Sequence, residues 1–231
     1  MEKANSKNEL NIPENIKIIT LGFVNAYLIE AKGGFILVDT GLAGKWPMLE
    51  TKLIGAGSLP DKLKLVIATH GDSDHIGNCR ILQEKYKAKI AMHADDQAIV
   101  KSGYPGKRKG KPILMQIMVF VIGFLRLYKI GAAKEFTPDI YLKDGQDLKA
   151  YGLSASIIHV PGHTKGSIAV FTEAGDLFIG DTMVNFKKPK WANIIQDEED
   201  LKQSREKLKG RNIRIVYPGH GRPFRMRDFI S

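Results

Sequence analysis

The stretch Ala68-Thr69-His70-Gly71-Asp72-Ser73-Asp74-His75-Ile76-Gly77 constrains this chain more than any other. Four side chains able to bind a metal, His70, Asp72, Asp74 and His75, fall within six residues. The run before them, Leu63 to Ala68, is apolar, rich in β-branched residues and of a length for a buried strand. Ile76 to Tyr86 reads as a helix. Chemistry therefore sits where a strand gives way to a helix, the place where α/β proteins build their sites. A turn there can aim several side chains at one point, which a regular strand or helix of this length cannot do.

The same device recurs along the chain. Ile16–Ile19, Ala26–Glu30 and Phe35–Val38 read as strands, with Gly33-Gly34 as a tight hairpin turn between the last two. The third ends at Asp39-Thr40-Gly41, where Asp39 is either a partner for a metal ligand or a turn former. Trp46–Ala56 reads as a helix and Lys64–Thr69 as the strand feeding the central motif. Lys89–Met92 is a further strand; His93, Asp95 and Asp96 after it read as a strand-end turn and helix cap, with metal binding the alternative. Tyr151–Val160 runs into Pro161-Gly162-His163-Thr164. Ser167–Thr172 and Leu177–Ile179 flank a turn and lead to Gly180-Asp181-Thr182. Glu198–Lys209 is a charged amphipathic helix, and Ile213–Tyr217 ends at Pro218-Gly219-His220-Gly221. Four of the six histidines thus follow a short apolar strand.

Composition narrows the classes. With 231 residues and 43% hydrophobic content, the chain can bury a sizeable core. No low-complexity run divides it, so residues 1–231 read as one domain, with 1–11 a polar, disordered tail that lacks the apolar core of a secretory signal. A single cysteine, Cys79, excludes an internal disulfide framework and points to the cytoplasm. In the helix after the motif it reads as a small buried hydrophobe. The net charge is +10, gathered at Lys101, Lys107, Arg108, Lys109 and Lys111; at Lys187, Lys188 and Lys190; and at Arg222, Arg225 and Arg227. Such groups can attract nucleic acid, anionic lipid or acidic substrates; the reading adopted is a solvated face that keeps the protein soluble.

Residues 113–130 stand apart. Their apolar side chains cover all sides of a helical projection, so the helix must be buried in something. It is shorter than the roughly 20 apolar residues of a membrane span. Three packings satisfy it: a lid or wall over an apolar substrate pocket, a homodimer interface, or a helix lying on anionic lipid with Lys107, Arg108, Lys109 and Lys111 at the headgroups. Packing on protein is the more usual fate of an apolar helix.

Taken together, His70, Asp72, Asp74, His75, His163, Asp181 and His220 form one candidate metal site. All are nitrogen or oxygen donors, which suits zinc and also manganese or iron. Seven donors exceed one tetrahedral shell and fit two divalent ions sharing a carboxylate. Charge agrees: three carboxylates and a bridging hydroxide balance two divalent ions in a buried cleft.

The motifs His70-Gly71-Asp72-Ser73-Asp74-His75, Pro161-Gly162-His163-Thr164, Gly180-Asp181 and Pro218-Gly219-His220, with Asp39-Thr40-Gly41 before them, resemble the metallo-β-lactamase superfamily from about Ile16 to Phe224. The resemblance implies an α/β fold, a four-layer αβ/βα sandwich of two sheets packed face to face with metals at one edge. It also implies that His70, residue 72 and His163 hold one ion, that Asp74, His75 and His220 hold the other, and that Asp181 bridges them. Hydrolysis would use a metal-bridged hydroxide, with Asp74 also accepting a proton. Asp72 departs from the histidine usual there: it binds its ion directly, binds through water, or weakens that half. Lys165, where many relatives have proline, reads as a solvated loop lysine. The expected substrate is a small or acyl-chain ester, lactone or thioester with an apolar part. The alternative is phosphodiester cleavage on nucleic acid or phospholipid; nuclease relatives usually carry an extra domain or arm, for which this chain has little room. A third reading, a membrane-surface or dimer module with a decayed site, conflicts with six intact ligand positions.

Overall fold

The computed structural model describes residues 10–110, 113–124 and 133–229. The first sheet begins with β1 (Ile16–Leu21), β2 (Val24–Ala31) and β3 (Gly34–Val38), joined as antiparallel hairpins. After α1 (Trp46–Gly55) the chain adds β4 (Leu63–Ile67) parallel to β3. Two short helical turns follow, α2 (Ser73–Ile76) and α3 (Cys79–Ile81), and then β5 (Lys89–His93), parallel to β4. Next come α4 (Gln97–Ser102), β6 (Lys109–Gly110), α5 (Ile113–Phe124) and β7 (Ile140–Leu142), which closes a sheet of order β1-β2-β3-β4-β5-β7.

The second sheet uses β8 (Ala155–His159), β9 (Ile168–Thr172) and β10 (Asp176–Gly180). A two-stranded ribbon of β11 (Met183–Val184) and β12 (Lys190–Trp191) follows. β13 (Ile194–Ile195) pairs back with β6. After α6 (Glu198–Leu208), β14 (Ile215–Pro218) and β15 (Phe224–Arg225) complete the order β15-β14-β10-β9-β8.

Alternation along the strands builds the layers. Tyr27, Ile29, Ile36, Val38, Leu65 and Ile67 of the first sheet face Ile157, Ile168, Val170, Phe178 and Tyr217 of the second in a shared core. Leu28, Leu37 and Val66 point to the other face of the first sheet, against Leu49 and Leu53 of α1. Ile158, Leu177 and Val216 pack with Leu208 of α6 on the far side of the second. The result is the αβ/βα sandwich expected from the motifs.

Two local expectations are corrected. The helix read over Ile76–Tyr86 is broken: it starts at Ser73, is interrupted after Ile76, and ends in a π-helical turn at Leu82–Tyr86. Asn78 sits at the break: its backbone N–H donates to the Thr40 hydroxyl, and its side-chain amide donates to the carbonyls of Thr40 and Leu42. The strand read from Tyr151 begins only at Ala155, since Gly152 ends a 3-10 turn with φ +81°. The apolar helix expected at 113–130 forms over the described residues Ile113–Phe124. Its described part, α5, leaves Ile113, Leu114, Ile117 and Val121 exposed. None of the α5 side chains that are described lines the main cleft described below; 125–130 and most of the N-terminal tail lie outside the described residues. No helix among the described residues is long and apolar enough to cross a membrane. Cys79 is buried against Thr40, and burial pushes its thiol up, away from reactivity.

Gly77 makes the turn after α2 feasible. A Cβ there would lie 2.3 Å from the Ala43 nitrogen and 2.4 Å from the Gly41 carbonyl oxygen, both backbone atoms. Gly55 at the end of α1 has nothing within 4 Å. Gly77→Ala is therefore expected to cost about 1–3 kcal/mol from overpacking, read as a lowered urea midpoint. Gly55→Ala should leave the midpoint unchanged or slightly raised.

Candidate metal centre

Every motif loop emerges at the same edge of the sandwich. Asp39 follows β3, His70 to His75 follow β4, and His163, Asp181 and His220 follow β8, β10 and β14. The seven sequence-selected side chains come together there, with Asp39 directly behind them. Gly219 permits the closest approach, because a Cβ on it would sit 2.4 Å from Asp181 Oδ1 and 2.6 Å from His75 Cε1.

On one side are Asp74, His75, Asp181 and His220. His75 Nδ1 donates to Asp39 Oδ2 at 2.8 Å, and His220 Nδ1 donates to the Phe23 carbonyl at 2.8 Å. Both Nε2 atoms therefore face inward. Asp39 is held in turn by the backbone N–H and the hydroxyl of Thr69, each at 2.8 Å. It keeps φ +59°, a strained value for a residue with a side chain. Phe23 and Phe186 stack on His220. Donor spacings run from 3.1 Å for His220 Nε2–Asp181 Oδ2, through 3.3 Å for His75 Nε2–Asp181 Oδ1 and His220 Nε2–Asp74 Oδ2, to 3.7 Å for His75 Nε2–Asp74 Oδ2. Corners of a tetrahedron bonded at about 2.0–2.1 Å to a central ion lie about 3.3–3.4 Å apart. Among the described residues, His75 Nε2 and Asp181 Oδ1 are buried with no hydrogen-bond partner. Buried polar atoms are nearly always satisfied, so orphans aimed at one point fit a cation.

The other side holds His70, Asp72 and His163, with Nε2–Oδ2 distances of 3.4 Å and 3.2 Å to Asp72. Spacing alone does not separate the two halves. The difference is Arg108, which the basic-cluster reading placed on a solvated or lipid-facing surface. Its side chain is only 9% exposed. Its Nη1 donates to Asp72 Oδ2 and its Nη2 to Asp72 Oδ1, both at 2.5 Å. Nε donates to the Pro105 carbonyl, and Nη1 also lies 3.4 Å from His163 Nε2. His163 Nδ1 donates to the Ile194 carbonyl at 2.7 Å, so its Nε2 lone pair is the acceptor facing Arg108. The pairing of Gly110 with Ile194 and Lys109 with Ile195 pins Arg108 beside His163.

Charges divide in the same way. Burial alone would raise Asp72, but the Arg108 guanidinium holds its carboxyl well below the usual range. Burial and then Arg108 push His163 down, keeping it neutral. On the opposite side, burial opposes protonation of His220, yet Asp181 and Asp74 raise it to about 10. Burial likewise opposes protonation of His75, and Asp181, Asp39 and Asp74 lift it well above the usual histidine value.

The cleft over the centre has a volume of about 660 Å³. Phe23, Leu42, Ile76, Ile99, Val100 and Ile194 give it apolar walls. The metallo-β-lactamase superfamily profile matches residues 19–220. The chain belongs to that superfamily. A probable metallo-hydrolase of Methanocaldococcus jannaschii is 29% identical over 201 residues, covering 85% of this chain and 87% of the relative. A hydroxyacylglutathione hydrolase of a Synechococcus strain is 30% identical over 149 residues, 64% of this chain and 43% of that protein. The crystal structure of a metallo-β-lactamase family protein from Thermus thermophilus superposes with a TM-score of 0.70 at 22% identity, covering 91% of this chain and 75% of that one. The protein is thus a hydrolase of the metallo-β-lactamase superfamily, a fold that implies divalent metal ions, and the donors present suit them.

Two site residues escaped sequence reasoning. Arg108 sits in a basic run whose neighbours Lys107 and Lys109 are exposed, and only the anionic Asp72 hinted at a need for a cation. Asp96, read as part of a turn or cap, is fully buried. Its carboxylate accepts from Gly71 N, Thr164 Oγ1 and Gly166 N at 2.7–2.8 Å, tying the loop after β4 to the loop after β8. Lys165 is exposed in its loop, as read.

Asp39→Asn should weaken divalent-metal affinity about 10–100-fold, the usual effect of disturbing a ligand's outer partner, measured by competition with a chromophoric chelator. Metal entry must expel protons held on His75 and His220. Apparent affinity should therefore fall as pH falls, and calorimetry in buffers of different ionisation enthalpy should register proton release.

Proposed function

We propose that this hydrolase cleaves a small or acyl-chain ester, lactone or thioester, with Asp74, His75, Asp181 and His220 as its principal metal ligands. The observation that supports this reading is an inward-facing donor set, with His75 Nε2 and Asp181 Oδ1 buried and without a hydrogen-bond partner, opening onto an apolar cleft. A divalent ion supplies a Lewis acid that ionises water at neutral pH and polarises the electrophile's oxygen. The all-nitrogen and oxygen donor set favours zinc, with manganese or iron as substitutes. Asp39 and the Phe23 carbonyl orient the two histidines. Asp74 is lowered despite burial, chiefly by His75 and then His220, so it is ionised and able to take up a proton at the mouth of the cleft. Phe23, Leu42, Ile99 and Val100 exclude water and bind an apolar acyl portion. An acyl-glutathione hydrolase among the relatives accords with a thioester.

Phosphodiester cleavage, motivated by the +10 charge, is the weaker reading. Arg108 is the one lysine or arginine among the described residues lining the cleft, and Asp72 already engages it. Nucleic-acid backbones need several free cations.

The test is a panel of acyl-homoserine lactones, acyl thioesters and p-nitrophenyl esters against bis-p-nitrophenyl phosphate. Turnover is expected on acyl substrates, rising with chain length. It should be abolished by chelation and by His220→Ala. Exclusive turnover of the phosphodiester would refute the acyl assignment.

A further inference from the structure

We infer that Arg108 takes the place of one of the two metal ions, so that the protein binds a single divalent ion, at Asp74, His75, Asp181 and His220. The inference rests on the metallo-hydrolase reading and concerns how many ions that site accepts.

Geometry carries it. An ion on the first side would need bonds to Asp72 and to His163 Nε2. Both Asp72 oxygens already accept from the guanidinium, and His163 Nε2 faces Arg108 Nη1. Asp72 Oδ2 and His163 Nε2 are 3.2 Å apart, and Nη1 lies 2.5 Å and 3.4 Å from them. An ion about 2.0–2.2 Å from both atoms would then fall within about 4 Å of that nitrogen on whichever side it sat. A divalent cation and a guanidinium so close repel in a low-dielectric cleft. The guanidinium has little reason to leave, because Asp72 Oδ1 and Oδ2 and the Pro105 carbonyl meet its donors in a fork geometry that suits arginine and not lysine.

The opposite side has no such competitor. Among the described residues, the basic side chains nearest its carboxylates are His75 and His220, whose Nε2 atoms lie 3.1–3.7 Å from Asp74 and Asp181 oxygens and are donors to the ion rather than rivals for its place. His70 Nε2, the remaining first-side donor, is buried with no hydrogen-bond partner among the described residues. His70 offers a ring nitrogen within 4.8 Å of donors on His75 and Asp181, and likewise of donors on Asp72 and His163, so a single ion can lie near it too. Asp72 and Arg108 together then explain why aspartate stands where a histidine is usual: a neutral ligand would leave the guanidinium unpaired.

The test is metal content by mass spectrometry after loading with excess Zn2+ or Mn2+ and desalting. Wild type should retain one equivalent, and Mn2+-loaded protein should give the six-line electron paramagnetic resonance signal of an isolated ion. Arg108→Met should retain two equivalents. His163→Ala should keep one, whereas His220→Ala should keep none; these two locate the ion even if Arg108→Met fails to fold. Two equivalents in wild type, or one in Arg108→Met, would overturn the inference while leaving the hydrolase reading intact. No bound metal in wild type would instead sink the hydrolase reading.

Discussion

Four carboxylates crowded at one edge of the sandwich have to find positive charge or donors, and the site is organised around how each does so. A buried carboxylate left alone costs several kcal/mol. Asp39 is met by Thr69 and His75, Asp72 by the Arg108 fork, and Asp74 and Asp181 by His75 and His220. The first two are satisfied entirely by the chain. The last pair is satisfied by histidines that can exchange protons for a metal ion. That asymmetry turns a pseudo-symmetric set of donors into two chemically different halves.

The fold supplies the precision this requires. Strands β3, β4 and β5 run parallel in one sheet and β10 and β14 in the other, so their carboxyl ends lie at one edge. Asp96 fastens the loops after β4 and β8 to each other. The short β6–β13 pairing brings Arg108 from a stretch far from the motifs to within reach of Asp72 and His163. Gly219 lets Asp181 and His75 touch. None of these supports is itself a metal donor, yet each fixes where a donor points.

The same edge carries the apolar walls. Phe23 from the β1–β2 turn, Leu42 after Asp39, and Ile99 and Val100 of α4 come from separate connections, which position side chains without weakening the core. The cleft is thereby apolar above and ionic below, which is the basis of the acyl-substrate proposal. Helix α5 adds no wall among its described residues, because it leans on β6 and leaves much of its apolar surface outside the cleft.

Much of this was legible in the residue order. Short apolar runs ending in Gly, His or Asp announced the strands and the seven candidate donors, because strand periodicity and turn chemistry are local properties, while the layers came from the resemblance to the superfamily. Asp39 could be read only as one of two roles, since the choice depended on whether Thr69 and His75 came to meet it. Asp72 was visible as a departure but its meaning was not, for its partner lies 36 residues away in a run that looks like any solvated basic cluster. The sequence by itself determined which groups could bind metal and at which strand ends they stand. Only the tertiary structure decided that Arg108 is buried among them, because an ion pair between distant segments is chosen by which loops the folded sheets bring together, and no local pattern encodes that.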